Sequence, residues 1–240
     1  MSVLRARCQR FLECVMDLLF PAPCVGCNEM LPPFLPDRPA LCPMCRTKYE
    51  TCRTHTRDLL ETPRRLAHIS LVQYRTSDKP GVAERLIFRI KHSEERRVFQ
   101  FVARELKPRV EAVWERLYLD PSEVVWAYPP RRPVALRKDG FDQAWRLAHT
   151  LAKTCGGTCL PLIERTGERI KEQKRLDAAA RARNAAKAYC LAEDAEETVR
   201  GKVIMLVDDL CTTGATLGAC ADLLIGAGAE GVIWVTVGQV

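Results

Sequence analysis

The apolar positions of the chain alternate between short runs of strand character and longer stretches of helical spacing. Val203 to Val207 are five consecutive apolar residues after the Gly201-Lys202 break, the pattern of a strand buried on both faces inside a parallel sheet. The run ends on Asp208 and Asp209. Thr212 to Thr216 then form a loop of hydroxyls and small residues, and Leu217 to Leu224 have helical spacing and composition. Val124 to Tyr128 reads as a second buried strand, running into Pro129, Pro130 and Pro133, and Ile69 to Tyr74 as another short one.

Between these strands, Val82 to Arg116 reads as helical, with Leu86, Ile87, Ile90, Val98, Phe101 and Leu106 among its apolar positions. Ala144 to Lys153 predicts another helix and Thr158 to Ile163 a short strand. Upstream, Leu4, Cys8, Phe11, Leu12, Val15, Leu18 and Leu19 recur at helical spacing until Pro21 stops the pattern. Strands alternating with helices predict an α/β fold, a parallel sheet flanked by helices.

No run of about eighteen uninterrupted apolar residues exists, which excludes a membrane-spanning helix. Arg5, Arg7 and Arg10 before Phe11-Leu12 mimic the start of a signal peptide, but Glu13 and Asp17 interrupt its apolar part. The chain is therefore expected to be cytoplasmic. Twelve cysteines are many for a reducing compartment, so metal ligation, rather than disulfides, is the expected account of close pairs.

Two such pairs stand together. Cys24-Val25-Gly26-Cys27 and Cys42-Pro43-Met44-Cys45 flank a proline-rich stretch and bring four thiolates within reach of one tetrahedral centre. Zinc is the metal expected. Four sulfur ligands leave no open position, so its role is structural, and the short segment around it depends on the metal for its folding energy. Cys52 and His55 read as flanking residues, whereas Cys155 and Cys159 are close enough in sequence to leave a pairing open.

The second chemical signal is the turn after Asp209. A small-residue loop entering a helix gathers backbone N–H groups, and the helix dipole favours an anion there. Thr212, Thr213, Gly214, Ala215 and Thr216 are the candidate phosphate ligands, with Gly214 expected to let the backbone approach closely. Two carboxylates beside a phosphate need other partners, such as sugar hydroxyls or a divalent cation. A ribose 5-phosphate meets both demands. Arg131 and Arg132, at the end of the proline strand, are candidates for a pyrophosphate, with solvated arginines in a surface turn as the alternative.

Two basic groups complete the picture. Arg85, Arg89, Lys91, Arg96 and Arg97 read mainly as a solvated charged face, with Lys91-His92 falling where a helix can break. Residues 165–200, carrying Arg165, Arg169, Lys171, Lys174, Arg175, Arg181, Arg183 and Lys187, read either as a basic flap closing over an anionic ligand or as a solvated linker. The net charge of +7 favours phosphate-bearing partners without choosing between a small substrate and nucleic acid.

The run from Val203 to Thr216 resembles the ribose-phosphate loop of type I phosphoribosyltransferases. With Cys24, Cys27, Cys42 and Cys45, Leu86-Ile87 and Lys91, Pro129-Pro130, Gly140-Phe141 and Gln143, and Gln173, Leu176, Arg181 and Asn184, the chain is similar to the ComF-type competence family. This resemblance implies a type I phosphoribosyltransferase-like sheet (residues 61–240) behind an N-terminal helix and zinc knuckle (residues 1–60). It further implies that Asp208 and Asp209 hold the ribose 2- and 3-hydroxyls of phosphoribosyl pyrophosphate, with magnesium, and that the protein serves natural transformation and DNA uptake. The chain departs from the family at Cys211, Tyr128 and Arg131, and at Asp139 and Asp142, which stand where arginine and asparagine are usual.

Three functions compete. The first is a phosphoribosyltransferase. The second is a non-catalytic module that holds single-stranded nucleic acid, such as single-stranded DNA, with the same loop, knuckle and flap, though only Tyr189 lies near the flap to stack on bases. The third is a regulator that senses phosphoribosyl pyrophosphate without turnover. The acceptor and the oligomeric state are not written in the sequence.

Overall fold

The structure is a computed structural model that describes residues 22–31, 39–54, 64–75, 80–166 and 188–240. The amphipathic segment before Pro21 and most of the basic stretch, 167–187, lie outside these residues. The described elements, in chain order, are α1 (Pro43–Cys52), β1 (Arg65–Gln73), α2 (Val82–His92), α3 (Arg96–Leu117), β2 (Val125–Ala127), α4 (Pro133–Asp139) and α5 (Gln143–Cys155). They continue with β3 (Thr158–Cys159), β4 (Ile163–Arg165), β5 (Tyr189–Leu191), α6 (Ala195–Val199), β6 (Val203–Cys211), α7 (Ala215–Gly226) and β7 (Gly231–Gln239).

Five strands form one parallel sheet in the order β1, β7, β6, β2, β3. The two long inner strands follow from their composition: β7 is buried at every position, and β6 at its first five, so neither has a polar face to offer water. Alternate residues of β6 serve two cores. Val203, Met205 and Val207 pack toward α2, α3 and α5, while Ile204 and Leu206 pack toward α6 and α7. Because every strand of the sheet runs the same way, the ends of β1, β2, β6 and β7 share one edge, where open α/β folds place their ligands.

Several expectations are corrected. The acidic pair does not end its strand: β6 continues to Cys211, paired with Gln239 of β7. The helical stretch Val82–Arg116 divides into two helices at the break expected near Lys91-His92, because Ser93 turns extended and its N–H closes α2 on the Arg89 carbonyl. Thr158–Ile163 divides between the main sheet and a separate antiparallel pair, β4 with β5. Residues 188–200 are not flap. They form β5 and α6, with Ala188 buried and with Ala195 and Val199 packed against α7 and the sheet.

The cysteine-bearing segment also has more core than its length suggests. Val25, Leu31, Leu41 and Tyr49 are buried in the same apolar cluster as α2 and α3. Tyr49 meets Phe101 edge-on at 5.5 Å and donates its hydroxyl to Glu105 Oε2 at 3.0 Å. The basic face of α2 and α3 is not left to solvent. Arg85 Nε donates to the Gly26 carbonyl at 2.8 Å, Arg89 Nη1 to those of Cys24 and Val25 at 2.8 Å, and Arg97 to those of Pro23 and Pro39 at 2.6 and 2.9 Å. Three cations therefore tie α2 and α3 to carbonyls of the cysteine-bearing segment, one of which, Cys24, also accepts the Asn28 N–H at 2.9 Å.

Candidate functional site

Strand alternation sends the two carboxylates of β6 to opposite layers. Asp209 turns toward α2, where its Oδ2 lies 3.6 Å from Lys91 Nζ. That oxygen is buried and has no hydrogen-bond partner, and the residue is only 5% exposed. Asp208 turns toward the other layer, where its carboxyl is felt by Cys220 on α7 and Tyr189 on β5. Its Oδ1 accepts the Asp209 N–H at 2.8 Å. Burial, and then the neighbouring Asp209 carboxylate, push Asp208 well above the ordinary carboxylate range. An unsatisfied oxygen beside a carboxyl that resists ionisation suits a sugar hydroxyl or an oxygen-seeking cation such as magnesium.

Past Cys211 the chain turns through Thr212 and Thr213, both exposed, into α7. Gly214 caps that helix in the left-handed region, with φ +71°. A Cβ there would stand 3.2 Å from the Trp234 ring. The glycine is thus required by the left-handed turn and by the indole beneath it. The first intrahelical bond runs from the Gly218 N–H to the Gly214 carbonyl at 2.7 Å, so the amides of Thr216 and Leu217 precede the helical ladder. The Ala215 N–H reaches Thr213 Oγ1 at 3.4 Å.

The arginine pair separates into two roles. The Arg131 guanidinium is spent on its own chain: it pairs with Asp139 and donates to the carbonyls of Lys91 and Phe141 at 3.3 and 3.1 Å. Its backbone N–H donates to Asp142 Oδ2 at 2.8 Å, while Asp142 Oδ1 caps α5 through Ala144 and Trp145. The expectation that Arg131 faces a pyrophosphate is therefore corrected. It ties the strand end to α2 and α5, using the two aspartates by which this chain departs from the ComF pattern. Arg132 is exposed at the start of α4. His92 Nδ1 joins the cluster 3.4 Å from Asp139 Oδ1.

The four cysteines form a second site. The Sγ atoms of Cys24, Cys27, Cys42 and Cys45 all lie within 4.8 Å of one another, and those of Cys27 and Cys42 are 3.8 Å apart. A tetrahedron with zinc–sulfur bonds of about 2.3 Å has edges of about 3.8 Å. Backbone N–H groups of Gly26 and Cys42 donate to Cys24 Sγ at 3.3 and 3.2 Å, and that of Cys45 to Cys42 Sγ at 3.4 Å. Burial opposes ionisation of Cys24, yet these donors outweigh it and bring the thiol down to about 7. Gly26 has a steric reason: a Cβ would stand 2.9 Å from Cys45 Sγ. This donor set fits zinc. Cys155 and Cys159 join no such group among the described residues, and burial pushes their thiols up to about 12 and about 11.

Residues 164–238 match the family described as phosphoribosyl transferase domain. The fold is of the phosphoribosyltransferase type. Similar solved structures include a phosphoribosylpyrophosphate synthetase from Mycobacterium smegmatis, 18% identical with a TM-score of 0.37, covering 57% of this chain and 33% of that one. A hypoxanthine phosphoribosyltransferase from Staphylococcus aureus is 13% identical with a TM-score of 0.34, covering 57% and 61%. An adenine phosphoribosyltransferase from Leishmania tarentolae is 12% identical with a TM-score of 0.37, covering 62% and 73%. The chain thus spans 33% of the length of the synthetase and 61% of that of the hypoxanthine enzyme. A comparison with curated protein sequences found no match.

Within this phosphoribosyltransferase-type fold the acidic pair, the hydroxyl loop, Lys91 and the Arg131 cluster share the C-terminal edge of the sheet, while the cysteine site lies on the α2–α3 layer. Sequence reasoning singled out Lys91 but not its partner. It missed Trp234 behind Gly214, and it missed the knuckle clamps. The spacing of Arg85 and Arg89 places both on one face of α2, a readable signal, but nothing local says that this face meets carbonyl oxygens.

Proposed function

We propose that this chain is a ComF-type phosphoribosyltransferase-like protein that binds phosphoribosyl pyrophosphate with magnesium at the C-terminal edge of its sheet. The observation that carries the reading is the buried Oδ2 of Asp209, which accepts no hydrogen bond and faces Lys91 at 3.6 Å, ahead of a hydroxyl-lined helix start. Asp208 and Asp209 hold the ribose hydroxyls. Thr212, Thr213, Gly214, Ala215 and Thr216 hold the 5-phosphate with side-chain hydroxyls and leading amides. Arg132 attends the pyrophosphate, and Arg131 positions that segment.

Magnesium, when bound, neutralises the charge that collects on the leaving pyrophosphate. The protein's own part is positional. An acceptor's lone pair forms a bond to ribose C1 as the C1–O bond breaks, and pyrophosphate departs with that electron pair. Fixed cations and amides stabilise the separating charge without a covalent intermediate. The four-cysteine knuckle, within residues 1–60, holds structural zinc and braces α2, which carries Lys91; residues 61–240 carry the site. The ComF resemblance supports a cytoplasmic role in DNA uptake, and no helix among the described residues is long and apolar enough to cross a membrane.

The deciding experiment is calorimetric titration of phosphoribosyl pyrophosphate with magnesium into the wild-type protein and into Asp208→Asn/Asp209→Asn. Binding by the former alone is expected. Equal binding by both, or by neither, removes the reading.

A further inference from the structure

The four sulfurs of the knuckle are not equally protected. Cys24 and Cys45 are 0% and 2% exposed, whereas Cys27 and Cys42 are half-buried, with their Sγ atoms 3.8 Å apart. Cys24 Sγ accepts the N–H groups of Gly26 and Cys42, and Cys45 Sγ lies close over the Gly26 backbone. A small oxidant in solution therefore meets Cys27 and Cys42 first.

The turn that carries Cys24 and Cys27 is also where α2 is fastened. Arg85 Nε donates to the Gly26 carbonyl, and Arg89 Nη1 to those of Cys24 and Val25, each at 2.8 Å. Two residues beyond Arg89, Lys91 stands 3.6 Å from Asp209 Oδ2, and its carbonyl accepts from Arg131 Nη1 at 3.3 Å. One helix end thus joins the metal-binding turn to the strand bearing the acidic pair.

We infer that the knuckle is a redox switch, in which a peroxide oxidises Cys27 and Cys42 to a disulfide, zinc is lost, and the end of α2 that sets Lys91 against Asp209 is loosened. One of the two thiolates attacks the peroxide, so that a sulfur–oxygen bond forms as the oxygen–oxygen bond breaks and hydroxide leaves. The other sulfur then displaces hydroxide from that sulfenic group, and the sulfur–sulfur bond closes. Together the two sulfurs give up two electrons, the peroxide accepts them, and both hydroxides become water with protons from solvent. Cys24 and Cys45 alone cannot retain the metal, which needs four ligands and is lost as the divalent ion. Closing the sulfurs from 3.8 Å to about 2.05 Å reshapes the turn whose carbonyls Arg85 and Arg89 hold. A dithiol reductant with zinc reverses the change.

The test treats the full-length, zinc-loaded protein with hydrogen peroxide and reads zinc release to a chromogenic chelator, the disulfide by peptide mapping, and hydrogen exchange at the amides of Arg89 to His92. About one zinc should be released per disulfide formed, and that disulfide should join Cys27 to Cys42. Exchange should become about tenfold faster, as for the loss of one charge-assisted hydrogen bond, and slow again on adding dithiothreitol and zinc. Arg85→Gln/Arg89→Gln should oxidise like wild type but exchange fast before peroxide is added; slow exchange in that variant overturns the arginine link and with it the switch. Wild type alone decides the rest: zinc retained under peroxide, a first disulfide elsewhere, or exchange unchanged when zinc is released overturns the proposal. Protein that purifies without zinc overturns the metal assignment as well. None of these readouts uses phosphoribosyl pyrophosphate, so the outcome is independent of the phosphoribosyl reading.

Discussion

Lys91 Nζ stands 3.6 Å from Oδ2 of Asp209, a contact that joins the end of α2 to the strand bearing the acidic pair. The distance is longer than a hydrogen bond, and the lysine side chain is 35% exposed, so the pair is an electrostatic brace rather than a hydrogen bond. Replacing Lys91 by Met should cost roughly 1 kcal/mol in urea unfolding, because the carboxylate stays buried while its counter-charge goes. Adding Asp209→Asn to Lys91→Met should recover most of that loss; a fully additive double variant would show that the two residues do not interact.

Asp208 predicts a pH dependence opposite to that of most carboxylates. Its folded-state pKa is raised, so between the unfolded value of about 3.9 and the raised folded value the native state binds more protons than the unfolded one. The contribution of Asp208 to stability must therefore fall as pH rises through that window. Asp208→Asn should flatten this slope and raise the melting temperature of the ligand-free protein at pH 7.5, while abolishing any thermal shift on adding phosphoribosyl pyrophosphate. An unchanged pH profile in the variant would remove this account.

Gly214 should resist substitution for a conformational reason. Gly214→Ala places a Cβ in the left-handed region and 3.2 Å from Trp234, at an expected cost of about 1–2 kcal/mol in chemical denaturation. A matched Gly226→Ala, at a glycine whose Cβ would meet no atom within 4 Å, should leave stability unchanged or slightly raised.

Metal analysis of the purified protein should return about one zinc per chain, falling in Cys24→Ser. Gly26→Ala is the finer probe, since its Cβ would stand 2.9 Å from Cys45 Sγ without removing a ligand. It should release zinc to a chelator at least about tenfold faster than wild type. Equal release rates would mean that the turn tolerates the methyl group.

The chain makes its fold class and its two chemical motifs legible because both are local. A buried run such as Val203–Val207 and the spacing of Cys24, Cys27, Cys42 and Cys45 carry their physical meaning within a few residues. Boundaries that depend on partners were less legible. Cys211 belongs to β6 only because Gln239 pairs with it, and Thr158–Ile163 divides because Cys159 pairs with Trp126 while Ile163 pairs with Leu191.

By itself the sequence determined a parallel α/β sheet, a loop suited to a phosphate, and a four-thiol metal site. Only the tertiary structure decided which charges remain for a ligand. Arg131 was taken up by Asp139 and two carbonyls, and Arg85, Arg89 and Arg97 by the knuckle, whereas Asp209 Oδ2, beside Lys91, was left without a hydrogen bond. The reason is that a charged side chain is satisfied by whatever packing brings within about 3 Å of it, and those neighbours come from other segments, 8 to 10 residues away for Asp139 and Phe141 and 59 to 74 for the knuckle carbonyls of Pro23, Cys24 and Gly26.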